Sequence, residues 1–244
     1  NSKVHNILIL QAKDEAVYDV CANISLAQTT INKLLGKYVG GTEKRFENWS
    51  KMVFEGYENK HPPEKIVKDL SRAALKIFQE DWKEIQPRFD DYVYDTVRGT
   101  LCLYIFELCL DKETGANSMP DGLASALLKE SEIDHIEPQA SPNFNTFGGH
   151  NIGNLALFLG SPNSAIQNKT LSTEARRNAY QNSNYYTTKF IVSAPGTYQG
   201  QEGKINNQFP KAKDWDAEQV NTRRELIKKY VKDFTLGFLE KSMS

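Results

Sequence analysis

The chain has 244 residues, 30 Lys/Arg against 31 Asp/Glu, and three cysteines. That length can bury a full core in one domain or two, and the near-balanced charge is no strong argument for a polyanion partner. Cys21, Cys102 and Cys109 form no Cys-x-x-Cys, which argues against a structural zinc cluster; no disulfide is called for, so an intracellular, cytoplasmic setting is expected.

The longest apolar run, residues 101–110, is too short to span a bilayer, and no signal peptide is expected. The chain opens on Asn1 rather than Met, which is read as a processed or excised piece, with an upstream sensor domain or partner subunit elsewhere. Charge is unevenly spread. Residues 1–133 hold 17 Lys/Arg and 21 Asp/Glu, net −4; residues 134–244 hold 13 and 10, net +3.

In chain order, apolar residues at helical spacing run from Ile7 to Leu35 and stop at Gly40-Gly41. Phe46, Trp49, Val53 and Tyr57 form one helical stripe, ended by His61-Pro62-Pro63. Pro63 suits the first turn of a following helix with Ile66, Leu70, Ala74 and Ile77 on one face. Residues 92–110 are apolar nearly all round and predict a buried central helix. Residues 115–120 read as a loop. Glu132 to Glu137 predicts a strand, residues 140–150 a polar, Gly-rich loop, and Ile152 to Leu159 a second strand. Ser161-Pro162 reads as a helix start, residues 172–181 as helix, and residues 182–210 as irregular. A last helix is expected from about Asp216 to Leu239.

The most informative segment is Asp134-His135-Ile136-Glu137-Pro138-Gln139. It sets a hard-metal ligand beside a proton acceptor in a strand. Neighbouring strand residues face opposite ways, so a pair serving one site needs a bend or twist, which Pro138 and its loop can supply. Phosphodiester hydrolysis needs this combination: a carboxylate for a divalent cation, and an imidazole near its ordinary pKa to take a proton from water. Two strands then a helix follow, with Asn154 in Gly153-Asn154-Leu155 and Asn163 nine residues on.

On these residues the chain resembles the HNH (ββα-metal) endonucleases. With Gly153 to Leu157, Lys169, and Trp215 followed by Arg223, it most resembles the C-terminal nuclease domain of GmrSD-type modification-dependent restriction and phage-defence proteins. The motif covers about residues 131–170 and the wider similarity about 90–240. The resemblance implies a mainly α protein with a small ββα-metal core, α+β in class. Residues 1–120 would form a helical scaffold or recognition region, and 121–244 the nuclease domain.

It further implies a DNA endonuclease using one Mg²⁺ or Mn²⁺ held by Asp134 and Asn163, with His135 as general base. Asn154 would tie the loop after the first strand to the second strand. Asn168 is the rival of Asn163 as ligand. Lys169 is a candidate for phosphate contact. Arg223 would meet DNA phosphate or brace the fold through a carboxylate. His150 would touch DNA, coordinate metal, or simply face solvent. Trp215 is expected to anchor the last helix, and Tyr180, Tyr185 and Tyr186 are weaker candidates for nucleic-acid contact. The partner implied is double-stranded DNA, with no membrane. The alternatives are an RNase, a helical scaffold with a degenerate, non-catalytic nuclease fold, and a pure DNA-binding module. No Gly-x-x-x-x-Gly-Lys-Ser/Thr loop is present, so a P-loop nucleotidase is not expected.

Overall fold

The computed structural model describes residues 8–36, 41–94, 96–115, 131–159, 168–210 and 215–243. Among them the protein is mainly helical with one two-stranded sheet. Two compact units are present: residues 1–88 with 232–244, and residues 89–231.

The first unit carries α1 (Glu15–Leu35), α2 (Thr42–Glu58) and α3 (Pro63–Ile85). The helical spacing that begins near Ile7 is interrupted before Glu15, because Asp14 turns extended and its carboxylate accepts from Ala16 N–H (3.0 Å), capping α1. Pro63 does occupy the first turn of α3, where its missing N–H costs nothing. The expected stripe buries Phe46, Trp49 and Val53. The Trp49 indole meets Phe46 (5.3 Å, 86°) and Phe78 (5.7 Å, 77°) edge-on. Arg45 forks onto Asp81 (2.5 and 3.0 Å) and reaches Gln28 (3.1 Å), which ties the three helices together through one largely buried ion pair.

The second unit carries α4 (Val97–Thr114), the hairpin β1 (Ser131–His135) and β2 (Leu155–Leu159), α5 (Glu174–Gln181), α6 (Tyr186–Val192) and α7 (Gly200–Asn206). It also takes the first part of α8 (Ala217–Lys241), whose residues from 232 belong to the first unit. The helix expected from residue 92 begins instead at Val97. Thr96 caps it by accepting from Gly99 N–H (3.0 Å), and Val93 pairs with Asn151 as a short antiparallel bridge. α4 falls in the same compact unit as the hairpin. The buried Glu107 of α4 explains this, since its two oxygens accept from the N–H groups of Tyr186 and Thr187 (2.8 Å each) at the start of α6.

The sheet is antiparallel, in register from Ser131↔Leu159 to His135↔Leu155. The second strand is shorter than expected, because residues 152–154 form a 3-10 turn. The segment 182–210 is more regular than its composition suggests: α6 and α7 lie in it, because Phe190 and Ile205 have apolar neighbours to bury against. Phe190 meets Phe209 at 5.2 Å, and Phe209 stacks on Phe106 of α4 at 5.5 Å. The expected helix start at Ser161-Pro162 and the turn at 116–120 lie outside the described residues. Among the described residues, no helix is long and apolar enough to cross a membrane.

Candidate functional site

The site forms at the His135 end of β1. The chain bends at Pro138 and its loop, after the pair rather than within it. Both residues remain in register with β2, so their side chains keep to opposite faces. The chain turns only afterwards, at residues 136–141, where Ser141 N–H donates to Pro138 O (2.9 Å).

On one face, Asp134 is buried against α5. Its Oδ2 accepts from Arg176 Nη2 (2.5 Å) and Tyr180 Oη (2.7 Å). The same Arg176 nitrogen reaches the backbone oxygen of His135 (2.5 Å), so one guanidinium grips two successive residues of the strand. Arg176 and Tyr180 are fully buried, and α5 presents them one turn apart. Burial raises the Asp134 carboxyl, while Arg176, Tyr180 and a backbone bond from His135 pull against that rise. Burial, reinforced by Asp134, lifts the Tyr180 phenol, so it stays a donor. Arg176 is therefore a site residue that sequence reasoning missed, and Tyr180, considered there only for nucleic-acid contact, holds the carboxylate instead. Their only sequence signal is an Arg and a Tyr four apart on a short helix, 42 and 46 residues from the carboxylate they hold.

On the other face, the His135 ring sits in an aromatic cup. Tyr94 lies at 4.8 Å, Phe144 at 5.2 Å edge-on and His150 at 5.2 Å edge-on. Its Nε2 is 3.2 Å from Nδ1 of His150. The imidazole is not near its ordinary pKa as the sequence suggested. Burial, then the neighbouring His150 and Arg176, push it down to about 4. At neutral pH it is uncharged and carries a lone pair, at the cost of basicity.

Asn154 is fully buried and sits at the hinge of the hairpin. Its Oδ1 accepts from Glu137 N–H (2.8 Å), and its Nδ2 donates to the oxygens of Glu137 (3.2 Å) and Gly149 (2.7 Å). Its own carbonyl accepts from Ile136 N–H (2.8 Å). One amide thus holds both sides of the loop that follows His135. Gly149 permits the Phe144 ring to lie directly over the backbone, where a Cβ would meet ring carbons at 2.3 Å. That contact places Phe144 against both imidazoles.

The remaining candidates separate. His150 is exposed although its ring meets His135, Tyr94 and Phe144, and Lys169 is exposed. Asn163 lies outside the described residues; Asn168 is exposed. Arg223 is fully buried, which corrects its assignment to DNA. Its guanidinium donates to the carbonyls of Gly153 (3.1 Å), Leu155 and Thr187 (3.1 Å), so it braces the fold through backbone oxygens rather than through a carboxylate. Burial draws it down to about 10, still charged at neutral pH. A phosphate has no route to a guanidinium with no exposed surface. Tyr180, Tyr185 and Tyr186 are likewise buried and are not a nucleic-acid surface; Trp215 is buried too. Tyr94 is the second residue that sequence reasoning missed. The apolar spacing predicts a helix there, but its N–H donates to His150 O (2.8 Å) and its ring lines the cup.

For a cation, the donor chemistry of Asp134 suits a hard divalent ion. In its present arrangement that carboxylate is already neutralised by Arg176, and among the described residues no group of three or more His, Cys, Asp or Glu gathers to hold a metal.

The family model for the C-terminal domain of GmrSD restriction endonucleases matches residues 79–230. No curated protein and no solved structure matches the chain.

Proposed function

From the premise that the chain belongs to the GmrSD restriction endonuclease C-terminal domain family, we propose that it is an HNH-type endonuclease that hydrolyses DNA phosphodiester bonds. The observation that carries this reading is the His135 imidazole at the end of β1, seated in an aromatic cup, with its backbone held by Arg176 and its loop locked by Asn154. An imidazole in a fixed orientation with a bare nitrogen can accept a proton from water, although burial makes this one a weaker base than a free imidazole.

His135 accepts the proton of the attacking water. Asn154 keeps the Glu137 and Gly149 backbone from moving as the substrate binds. Asp134, with Asn163, would hold one Mg²⁺ or Mn²⁺, which when bound neutralises charge on the phosphate. Arg176 would then share Asp134 with the ion or release it. Lys169 and His150, both exposed, are free to approach the backbone of double-stranded DNA. A cytoplasmic role in restriction or anti-phage defence fits, with target sensing left to an upstream domain or a partner subunit. The ββα-metal core and the division into a scaffold and a nuclease domain near residue 120 belong to the same proposal.

The test is a plasmid nicking assay with purified chain across Mg²⁺, Mn²⁺ and EDTA, on modified and unmodified DNA and on matched RNA. Metal-dependent nicking of DNA that His135→Ala abolishes is expected. Nicking unchanged by His135→Ala would remove this site from the mechanism, and preferential RNA cleavage would replace DNA as substrate. No cleavage under any condition would leave a degenerate nuclease fold acting as a scaffold.

A further inference from the structure

We propose that His150 is a positioning residue for His135: it accepts the hydrogen of His135 Nε2 and so fixes the lone pair of that ring on Nδ1. The inference rests on the nuclease reading for its purpose, though not for its geometry.

The contact joins two ring nitrogens, Nε2 of His135 and Nδ1 of His150, 3.2 Å apart. A hydrogen bond between them needs one N–H and one lone pair. Were His150 the donor, Nε2 of His135 would be the acceptor and the ring's own hydrogen would sit on Nδ1. The neutral imidazole would then have no nitrogen left to take a proton. With His135 as donor, Nε2 carries the hydrogen and Nδ1 is bare. Only the second arrangement leaves His135 able to act as a base. The partner of the second nitrogen decides the tautomer, as it does in other imidazole sites.

The fold holds His150 for this purpose from three sides. Tyr94 N–H donates to the His150 carbonyl (2.8 Å), and Val93 pairs with Asn151, so the backbone of the segment before α4 fixes this loop. The Tyr94 ring stacks on the His150 ring (6.1 Å, 20°), and Phe144 meets it edge-on (5.0 Å, 86°). His150 is exposed while His135 is buried. Water can therefore serve the other nitrogen of His150, which lets that nitrogen keep its hydrogen and leaves Nδ1 as acceptor. An exposed residue chosen only to contact DNA would not need two aromatic rings and a backbone bridge to orient it.

The experiment is long-range ¹H–¹⁵N spectroscopy of the ¹⁵N-histidine-labelled full chain at pH 7.5, with the His135 signals identified by His135→Gln. The wild type is expected to show hydrogen on Nε2 of His135 and none on Nδ1. His150→Ala should give a mixture of tautomers. His150→Asn, whose side-chain oxygen can stand near the place of Nδ1, should restore the wild-type pattern. Nicking should fall about 10- to 100-fold in the alanine variant, the range for losing the partner that orients a histidine, and recover most of the way in the asparagine variant. A wild-type ring with its hydrogen on Nδ1 overturns the proposal, as does a tautomer pattern that His150→Ala leaves unchanged. A tautomer shift in a chain that cuts nothing supports the contact and sinks the nuclease reading, so the two failures are told apart.

Discussion

Arg176→Gln removes the cation that Asp134 is built around. The guanidinium has no exposed surface, Asp134 is 8% exposed, and their atoms stand 2.5 Å apart. Without it, the carboxylate keeps Tyr180 as a donor but has no counter-charge, and the His135 carbonyl loses its side-chain donor. Breaking one side of a buried ion pair costs about 3–5 kcal/mol. Part of that can be relieved by protonation, since burial already raises this carboxyl.

Urea unfolding followed by ¹⁹F signals of 5-fluorotryptophan separates the units: Trp215 lies in the unit that holds the pair, Trp49 and Trp82 in the other. At a slope of roughly 2 kcal/mol per molar urea, the Trp215 midpoint should fall by about 1.5–2.5 M. Adding Asp134→Asn removes the orphaned charge and should recover part of the loss. A midpoint shift below about 0.5 M would mean a pair worth no more than a solvated one, and the buried clamp would be wrong. No recovery in the double variant would equally refute the charge argument.

Three further outcomes are expected. Gly153→Ala should unfold or severely destabilise the second unit, because its Cβ would stand 2.0 Å from the Val220 carbonyl oxygen; circular dichroism melting reads this directly. Glu107 has its carboxyl raised to about 7 by burial, against an ordinary value of 4.5. The folded state therefore holds a proton that the unfolded chain releases between those values, so this contribution is complete below pH 4.5 and lost as pH rises through 7. The difference amounts to about 3 kcal/mol, and Glu107→Gln should gain on the wild type in melting temperature between pH 5 and pH 8.5. His135 works the other way. Its folded value of about 4 lies below the ordinary 6.5, so its contribution is complete above pH 6.5 and lost as pH falls toward 4. The nicking rate should accordingly hold through pH 6, with no falling limb at the pH of a free imidazole; a limb centred near 6.5 would show that the ring is more exposed than its cup implies.

The amino-acid sequence determined the local elements and the adjacency of Asp134 and His135, the pair proposed to react. Helix α3 is fixed by Pro63 and one apolar stripe, the strands by short apolar runs around a polar loop, and Asp134-His135 by adjacency in the chain. All of these are written within a few residues, where propensity and periodicity act. Tertiary structure alone decided what the pair does next. Strand alternation put Asp134 and His135 on opposite faces, and α5 brought Arg176 and Tyr180 to the first. The Tyr94 segment, which reads as helix, was drawn out to pair with the loop carrying His150. Arg223 went inward because three backbone carbonyls needed a donor where water cannot reach. Such contacts join residues far apart in the chain. Their partners are selected by burial and by unmet hydrogen bonds, which exist only once the chain has folded.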